Sequence, residues 1–305
     1  MQANWKVQPL LTPKHREIMT HVKRQNDNSA RYAVIGNPIA HSKSPRIHAM
    51  FAESLGQIID YDKLLSPLDD FAGELQRFHS EGGVGANVTV PFKQQAFALA
   101  REASLRAQQA GAANFLMWRE DHWFCDNTDG AGLVRDIEVN LQQPFAGKSV
   151  LLIGAGGAAR GVLGPLLLRE PSRVVVVNRT AARAVELVAP YLQIYTVHAQ
   201  TIATLTGSPA RFDIVINATS SSLNAALPLP TNAEIFSSDS LAYDMMYGKE
   251  RTAFMHWAQD RGATRVSDGL GMLVEQAAES YVQWRGALPH AAPIIALLRA
   301  ELAAS

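Results

Sequence analysis

Near the midpoint of the chain, four apolar residues run straight into a glycine-rich turn: Val150-Leu-Leu-Ile-Gly154-Ala-Gly156-Gly157-Ala-Ala159-Arg160. The pattern G-x-G-x-x-A after a short apolar run is that of a strand, a tight turn and the opening of a helix. Gly154 permits the turn, Gly156 lets backbone approach a pyrophosphate, and Ala159 keeps the helix close to the strand. The helix N-terminus offers unpaired N–H groups and a partial positive charge to an anion. Such a turn alone is a weak signal, but its position adds to it. A dinucleotide-binding α/β unit is expected in the second half, and the half that precedes it must have another task.

The chain is long enough for two domains, at 305 residues. Hydrophobic residues make up 47% and charged residues 18%, which fits a packed globular protein and not a disordered one. Lys plus Arg equals Asp plus Glu at 28 each, which argues against a nucleic-acid or acidic-membrane binder. The single cysteine, Cys125, permits no intramolecular disulfide, fits a reducing cytoplasmic compartment, and reads as a small buried residue. No apolar run reaches the ~18 residues of a membrane span. Residues 1–30 are polar and mixed in charge and lack the apolar core of a signal peptide. They read as an N-terminal extension in which Leu10, Leu11, Ile18, Met19 and Val22 line at most a short helix face.

Strands and helices alternate through the rest. Arg31–Gly36 reads as a strand, and Ser44-Pro45-Arg46 as a helix start, with Ser44 as cap and Pro45 at the first helical position. Ile47, Met50, Phe51 and Leu55 follow at helical spacing up to Gly56. A second strand is expected at Ile58–Leu65, a helix at Leu68–His79, a third strand at Gly85–Val90 and a helix over Pro91–Ala110. Asn114–Trp118 and His122–Cys125 read as a hairpin around Glu120-Asp121. Beyond it, strands are expected at Val150–Ile153, Val174–Val177, Ile194–Val197, Ile214–Ile216 and Leu241–Tyr243. Helices are expected at Ala158–Arg169, Ala181–Tyr191, Met272–Trp284 and about Ala292–Leu302. The alternation predicts mostly parallel α/β sheets.

The second strand of the dinucleotide unit decides the cofactor. In NAD-binding units it commonly ends in an acid, about 20 residues after the turn, that holds the ribose 2′-hydroxyl. Here Val174–Val177 runs into Asn178-Arg179-Thr180, with Arg183 a turn later. A carboxylate would repel a 2′-phosphate, whereas guanidinium groups clasp one through paired hydrogen bonds. The residues therefore select NADP over NAD.

Three polar clusters in the first half fall at strand ends, where open α/β sheets place ligands. His41-Ser42-Lys43-Ser44-Pro45 offers two hydroxyls, although Ser44 also suits a helix cap. Asn87-Val-Thr89-Val-Pro91-Phe-Lys93 sets Asn87 and Thr89 on one strand face and brings Lys93 near Thr89. A lysine at a helix start opposes the helix dipole, so Lys93 is expected to have a partner. Asp126-Asn-Thr-Asp129-Gly130 supplies a candidate partner in Asp129, which alternatively caps the helix carrying Leu133, Val134 and Ile137. His41 and His48 lack a companion ligand set, and no metal is expected.

Taken in order, these stretches resemble the shikimate dehydrogenase family. The resemblance runs from about Tyr32 to the C-terminus. It is carried by Gly36-Asn-Pro-Ile-Ala-His-Ser-Lys-Ser-Pro45, Gly85-Ala-Asn-Val-Thr-Val-Pro-Phe-Lys93, Asp126-Asn-Thr-Asp-Gly130 and Gly154-Ala-Gly-Gly-Ala158. Asn178-Arg-Thr180, Asn217-Ala-Thr-Ser220, Tyr243-Asp-Met-Met-Tyr247 and Asp268-Gly-Leu-Gly-Met272 continue it. The resemblance implies reversible NADPH-dependent reduction of 3-dehydroshikimate to shikimate, on the route to the aromatic amino acids. It implies Lys93 and Asp129 as the catalytic pair. It assigns Ser42, Ser44, Thr89, Lys93, Asn114, Asp129, Tyr247 and Gln276 to the substrate. To the cofactor it assigns Gly154, Ala155, Gly156, Gly157, Ala158, Asn178, Arg179, Thr180, Arg183, Met245 and Gly269. It further implies that the helices after Gly269 return to the first domain. The expected organisation is an extension at 1–30, an N-terminal α/β substrate domain at 31–129 plus 269–305, and a Rossmann-type parallel-sheet NADP domain at 130–268. The partners expected are small molecules, neither nucleic acid nor membrane, for a monomer or homodimer.

Three positions depart from the family pattern. Phe115 stands where Thr is common and is expected to alter the pocket wall. Ser222 stands where Gly is common, near the cofactor, and Leu105 replaces an acid that some members carry before Arg106. None removes a group the chemistry needs. Ketone reduction develops negative charge on oxygen, and a fixed positive donor there is often the largest catalytic contribution. Lys93 fits that need, kept charged and aimed by Asp129. Two alternatives stay open: a quinate/shikimate dehydrogenase with relaxed substrate or cofactor use, and a non-catalytic NADP-binding regulator. NAD-using quinate relatives commonly carry the acid absent after Val177, and a regulator is expected to lose Lys93 or Asp129.

Overall fold

The computed structural model describes residues 30–206, 210–219, 227 and 229–304. Ser222, and all of the N-terminal extension except Ala30, lie outside them. Ala30 is buried with Tyr32 and Trp284 in an aromatic cluster.

The first half alternates as β1 (Arg31–Gly36), α1 (Ser44–Ser54), β2 (Asp60–Leu65), α2 (Phe71–Ser80) and β3 (Gly83–Val88). Then come α3 (Lys93–Leu99), β4 (Glu102–Ala103), α4 (Leu105–Ala110), β5 (Phe115–Arg119), β6 (His122–Asp126) and α5 (Asp129–Arg135). One wide π-type turn, Asp136–Asn140, extends α5. The second half runs β7 (Ser149–Ile153), α6 (Gly157–Leu167), β8 (Arg173–Val177), α7 (Ala181–Val188), β9 (Val197–Gln200), α8 (Ile202–Thr206) and β10 (Phe212–Asn217). It closes with β11 (Phe236–Asp244), α9 (Ala253–Asp260), β12 (Arg265–Asp268), α10 (Leu270–Arg285) and α11 (Ala291–Ala304).

Two six-stranded sheets result. The first has the order β2-β1-β3-β5-β6-β4 and is mixed: β5 pairs antiparallel with both β3 and β6. The hairpin between β5 and β6 turns at Glu120 and Asp121, both in the left-handed region at φ 49° and 63°, as a two-residue turn matching strand twist demands. The second sheet is parallel throughout, in the order β12-β11-β10-β7-β8-β9. That is the doubly wound arrangement, whose order reverses between β7 and β10, where such sheets bind ligands. Its strands β7 and β8 are apolar on both faces and bury every residue after the first.

Three expectations need correction. Pro91–Ala110 is not one helix. Ala100 is extended (ψ 133°), a short strand follows, and the Ser104 hydroxyl caps a new helix by accepting from the Ala107 N–H. Local alanine-rich propensity gives way there to a sheet partner, β6. The strand expected at Ile194–Val197 lies at Val197–Gln200, because β9 pairs with β8 from Val197 onward while Ile194 is exposed. Ser44 is the first helical residue and not the cap. Lys43 precedes it, and the Ser42 hydroxyl accepts from the Ser44 N–H at 3.3 Å.

The chain returns to the first sheet through α10. Trp284 near its end donates to the Leu116 carbonyl at 3.1 Å and stacks on Phe115. Val274, Ala277 and Tyr281 of α10 and Ile294 and Leu298 of α11 pack with Ile47 and Phe51 of α1. No helix among the described residues is long and apolar enough to cross a membrane.

Candidate active site

Lys93 is the first residue of α3 and Asp129 the first of α5, and the two meet: Lys93 Nζ lies 2.6 Å from Asp129 Oδ2. The dipole of α3 disfavours a cation at its start, whereas that of α5 favours an anion, so Asp129 resolves the misfit of Lys93. The lysine keeps 31% of its side chain exposed and the aspartate 11%, so solvent reaches the pair mainly at the lysine. Asp129 caps no helix; Thr128 holds the cap position without a side-chain cap bond.

The second carboxylate oxygen is held from behind. Asn114 donates to Asp129 Oδ1 at 2.8 Å and accepts from the Thr128 N–H at 2.7 Å. The Gln276 amide oxygen lies 3.2 Å from the same Asn114 nitrogen, while the Gln276 Nε2 donates to Leu273 O. Asn127 accepts from the Asp129 N–H at 3.2 Å. A buried polar chain continues inward. Thr128 lies 3.5 Å from Ser280, which accepts from Asn87, and the Tyr61 hydroxyl donates to Asn87 at 2.8 Å. Tyr61 is thus joined to Asp129 through Asn87, Ser280, Thr128 and Asn114. Thr89 follows β3 with its methyl against Gly36, and its carbonyl accepts from Phe92 N–H, which turns the chain so that α3 starts at Lys93.

Tyr61, Ser280, Thr128 and Asn127 were not singled out from the sequence. Tyr61 and Ser280 come from remote strands and helices and carry no local signal; Thr128 and Asn127 adjoin Asp129, which was the available clue. Phe115 does not line the pocket. Strand alternation turns it away from Asn114 into the aromatic cluster of Tyr32 and Trp284. Leu105 is an exposed first-turn residue of α4 and touches no site group among the described residues. Cys125 is buried, and burial, then the Asp126 charge, pushes its thiol up to about 12, so it is inert.

A second charged network braces the site from the far side. Arg106 bonds Asp126 through two nitrogens, at 2.7 and 2.5 Å, and Glu279 at 2.9 Å. Burial pushes the Asp126 carboxyl up, but Arg106, Ser104 and Gln283 outweigh it, and its net pKa is lowered. Glu279 also pairs with Arg135 at 2.8 Å, which ties α10 to α5.

The dinucleotide turn lies at the switch of the second sheet. Gly154 has φ 111°, a conformation that side chains rarely adopt, and a Cβ there would stand 3.1 Å from the Ala218 carbonyl oxygen. Nothing lies within 4 Å of where a Cβ would stand on Gly156 or Gly157, so the start of α6 is open to a ligand. Asn178 donates to Thr180 O at 2.9 Å and shapes the turn after β8. Arg179 and Arg183 are exposed and form no ion pair among the described residues. Met245 N–H bonds Asn217 O, and Gly269 N–H bonds Met246 O, so the ends of β10, β11 and β12 converge at the end of the sheet that carries the glycine turn. Among the described residues no three His, Cys, Asp or Glu side chains group to hold a metal ion.

A doubly wound dinucleotide sheet joined to a second sheet bearing a lysine–carboxylate pair defines the class as nicotinamide-dependent oxidoreductases. Family models fill in the rest. The shikimate dehydrogenase substrate binding domain matches residues 34–116, shikimate/quinate 5-dehydrogenase matches 137–228, and the shikimate 5′-dehydrogenase C-terminal domain matches 269–299. The chain belongs to the shikimate dehydrogenase family. It is 54% identical over 272 residues to the NADP(+) shikimate dehydrogenase of Herminiimonas arsenicoxydans, covering 89% of this chain and 98% of the relative. With the enzyme of that name from Nitrosospira multiformis it is 52% identical over 271 residues, again covering 89% and 98%. It superposes on the shikimate 5-dehydrogenase of Thermus thermophilus in complex with NADP(H) and shikimate at a TM-score of 0.79. There the identity is 32%, over 90% of this chain and 100% of that one.

Proposed function

We propose that this chain catalyses the reversible reduction of 3-dehydroshikimate to shikimate with NADPH, in aromatic amino-acid biosynthesis. The observation that carries the reading is the Lys93–Asp129 pair, held at 2.6 Å with the lysine partly exposed and the aspartate fixed by Asn114. The relatives named above support the substrate and cofactor.

The residues fit the cofactor. Gly154, Ala155, Gly156, Gly157 and Ala158 form the turn and open helix start for a pyrophosphate. Asn178, Arg179, Thr180 and Arg183 receive the 2′-phosphate, with no acid present to repel it. Met245 and Gly269 would hold the nicotinamide end, and the chemistry NADPH would supply when bound is a hydride for the carbonyl carbon of the substrate. Ser42, Ser44, Thr89, Asn114, Tyr247 and Gln276 orient the substrate, and Lys93 stands at its carbonyl oxygen. The Lys93 ammonium stabilises the developing oxyanion and protonates it. Asp129 aims the ammonium, and in the reverse direction the pair accepts the hydroxyl proton.

The domain division that goes with this reading is 31–129 plus 269–305 for substrate and 130–268 for NADP. A cytoplasmic location and a monomeric or homodimeric state complete it.

The test is to mix the protein with shikimate and NADP and follow absorbance of the reduced nicotinamide. Turnover with shikimate supports the reading. Turnover with quinate but not shikimate moves the assignment to quinate, and binding without turnover makes the chain a regulator.

A further inference from the structure

We propose that Arg299 is a positioning residue: through Asp268 it holds Tyr247 and Gly269 in one geometry, so that helix α11 registers the substrate side of the cleft to its cofactor side. The assignment rests on the functional reading above for the roles of Tyr247 and Gly269.

The C-terminal helix has two contacts one residue apart. Leu298 is buried with Ile47 and Phe51 of α1, the helix whose first residue is Ser44, and Tyr247 packs against the same cluster. The next residue, Arg299, leaves that cluster and clasps Asp268 with both terminal nitrogens, Nη1 to Oδ2 at 2.8 Å and Nη2 to Oδ1. Nη1 also lies 3.4 Å from the carbonyl of Gly248, the residue after Tyr247. Asp268 in turn accepts from the Leu270 N–H at 3.2 Å, and the Gly269 N–H between them donates to Met246 O at 3.0 Å. One guanidinium therefore grips both chain passages that meet here, the stretch from Met246 to Gly248 and the turn that opens α10. Two parallel N–H···O bonds fix direction as well as distance.

Charge gives the clasp a second consequence. Asp268 is 4% exposed, and it faces Tyr247: burial and then the Asp268 charge raise the Tyr247 phenol. Without Arg299 a nearly buried carboxylate would stand unneutralised beside a cleft that admits two anions, a carboxylate-bearing substrate and a phosphate-bearing dinucleotide. A tie that merely anchored the end of the chain would have no such effect on ligands.

The experiment compares the full-length protein with Arg299→Leu, Arg299→Lys and the double variant Arg299→Leu/Asp268→Asn. It measures steady-state kinetics with shikimate and NADP, and amide hydrogen exchange at Met246, Gly269 and Leu270 without ligands. Losing a bidentate charge-assisted pair is expected to raise KM for both ligands on the order of tenfold in Arg299→Leu, with kcat changed less. Exchange at Gly269 is expected to quicken. Arg299→Lys keeps the charge but not the fork, and is expected to fall between, which serves if the leucine variant does not fold. The double variant removes the stranded charge but still lacks the clasp, so it is expected to recover KM only in part while exchange stays fast. Unchanged KM in Arg299→Leu, or full recovery of KM in the double variant while exchange stays fast, overturns the proposal. If the unmodified protein turns over no shikimate, the functional reading fails by itself. Exchange then still decides the clasp, since an unchanged Gly269 in Arg299→Leu overturns it.

Discussion

Gly130 lies so close under Gly161 that a Cβ on Gly130 would stand 2.5 Å from the Gly161 carbonyl oxygen. Gly130 follows Asp129 at the start of α5, and Gly161 is in α6, the helix of the dinucleotide turn. The lysine–aspartate pair is thereby registered to the cofactor helix through backbone. Gly130→Ala must push α5 away from α6. It is expected to cost about 1–3 kcal/mol of stability, the usual range for overpacking. It should also lower kcat more than it raises either KM. Urea denaturation and initial-rate kinetics on the same preparation check both.

Lys93→Ala removes the only cation seen at Asp129 among the described residues. A positioned acid–base group contributes about 10²–10⁴-fold, so kcat is expected to fall by that factor while KM for shikimate changes much less. Steady-state rates in both directions measure it. A variant with near-normal kcat would remove Lys93 from the chemistry.

Arg179→Ala tests the 2′-phosphate assignment. The exposed guanidinium has no ion-pair partner among the described residues, so its loss disturbs little else. Affinity for NADP is expected to drop by roughly tenfold or more, the scale of a charge-assisted pair, with NAD nearly unaffected. Titration of protein fluorescence with each dinucleotide gives the ratio. Equal losses for both would sink the assignment.

His48 makes stability depend on pH. Its ring is fully buried, stacked on Tyr61 at 4.2 Å and close to Phe51, Tyr281 and Trp284. Burial lowers its pKa to about 3, and neither ring nitrogen has a hydrogen-bond partner among the described residues. The unfolded chain takes up the proton below about 6.5, whereas the folded chain refuses it down to about 3. The His48 contribution is therefore intact above pH 6.5 and shrinks as pH falls from there towards 3. At pH 5 the loss comes to about 2 kcal/mol relative to pH 7. His48→Phe, which keeps a ring in the stack, is expected to lose that part of the acid sensitivity. Denaturant midpoints at the two pH values, with and without the substitution, measure it.

Much of this was legible locally. The glycine turn, the apolar runs of β7 and β8 and the Glu120-Asp121 hairpin each carry their own signal, and each formed as read. So did the pairing of Lys93 with Asp129, because a lysine at a helix start demands an anion. Elements whose identity depends on partners were misread or missed. The Ala-rich stretch after Lys93 reads as one helix until β6 takes Glu102 and Ala103 into the sheet. The polar strand β12 exists because β11 offers an edge, and nothing in Arg265–Asp268 announces it. Arg106, Glu279 and Arg135 form one charged brace from three distant segments, a relationship that no window of sequence contains. Phe115 shows the same limit: its neighbour Asn114 fixed its position, but only strand alternation told which way it faces.

The return of α10 and α11 has a consequence for how the chain is made. The second sheet is built from consecutive segments, β7 to β12, and can close its core from local material. The first sheet cannot: Trp284, Tyr281 and Leu298, which cover its aromatic and apolar faces, come from the far end of the chain. Contacts of such sequence separation form slowly, because a long loop must close first. The half that emerges first from synthesis is thus the last to be completed, and its exposed aromatic face must wait, uncovered, until the final helices arrive.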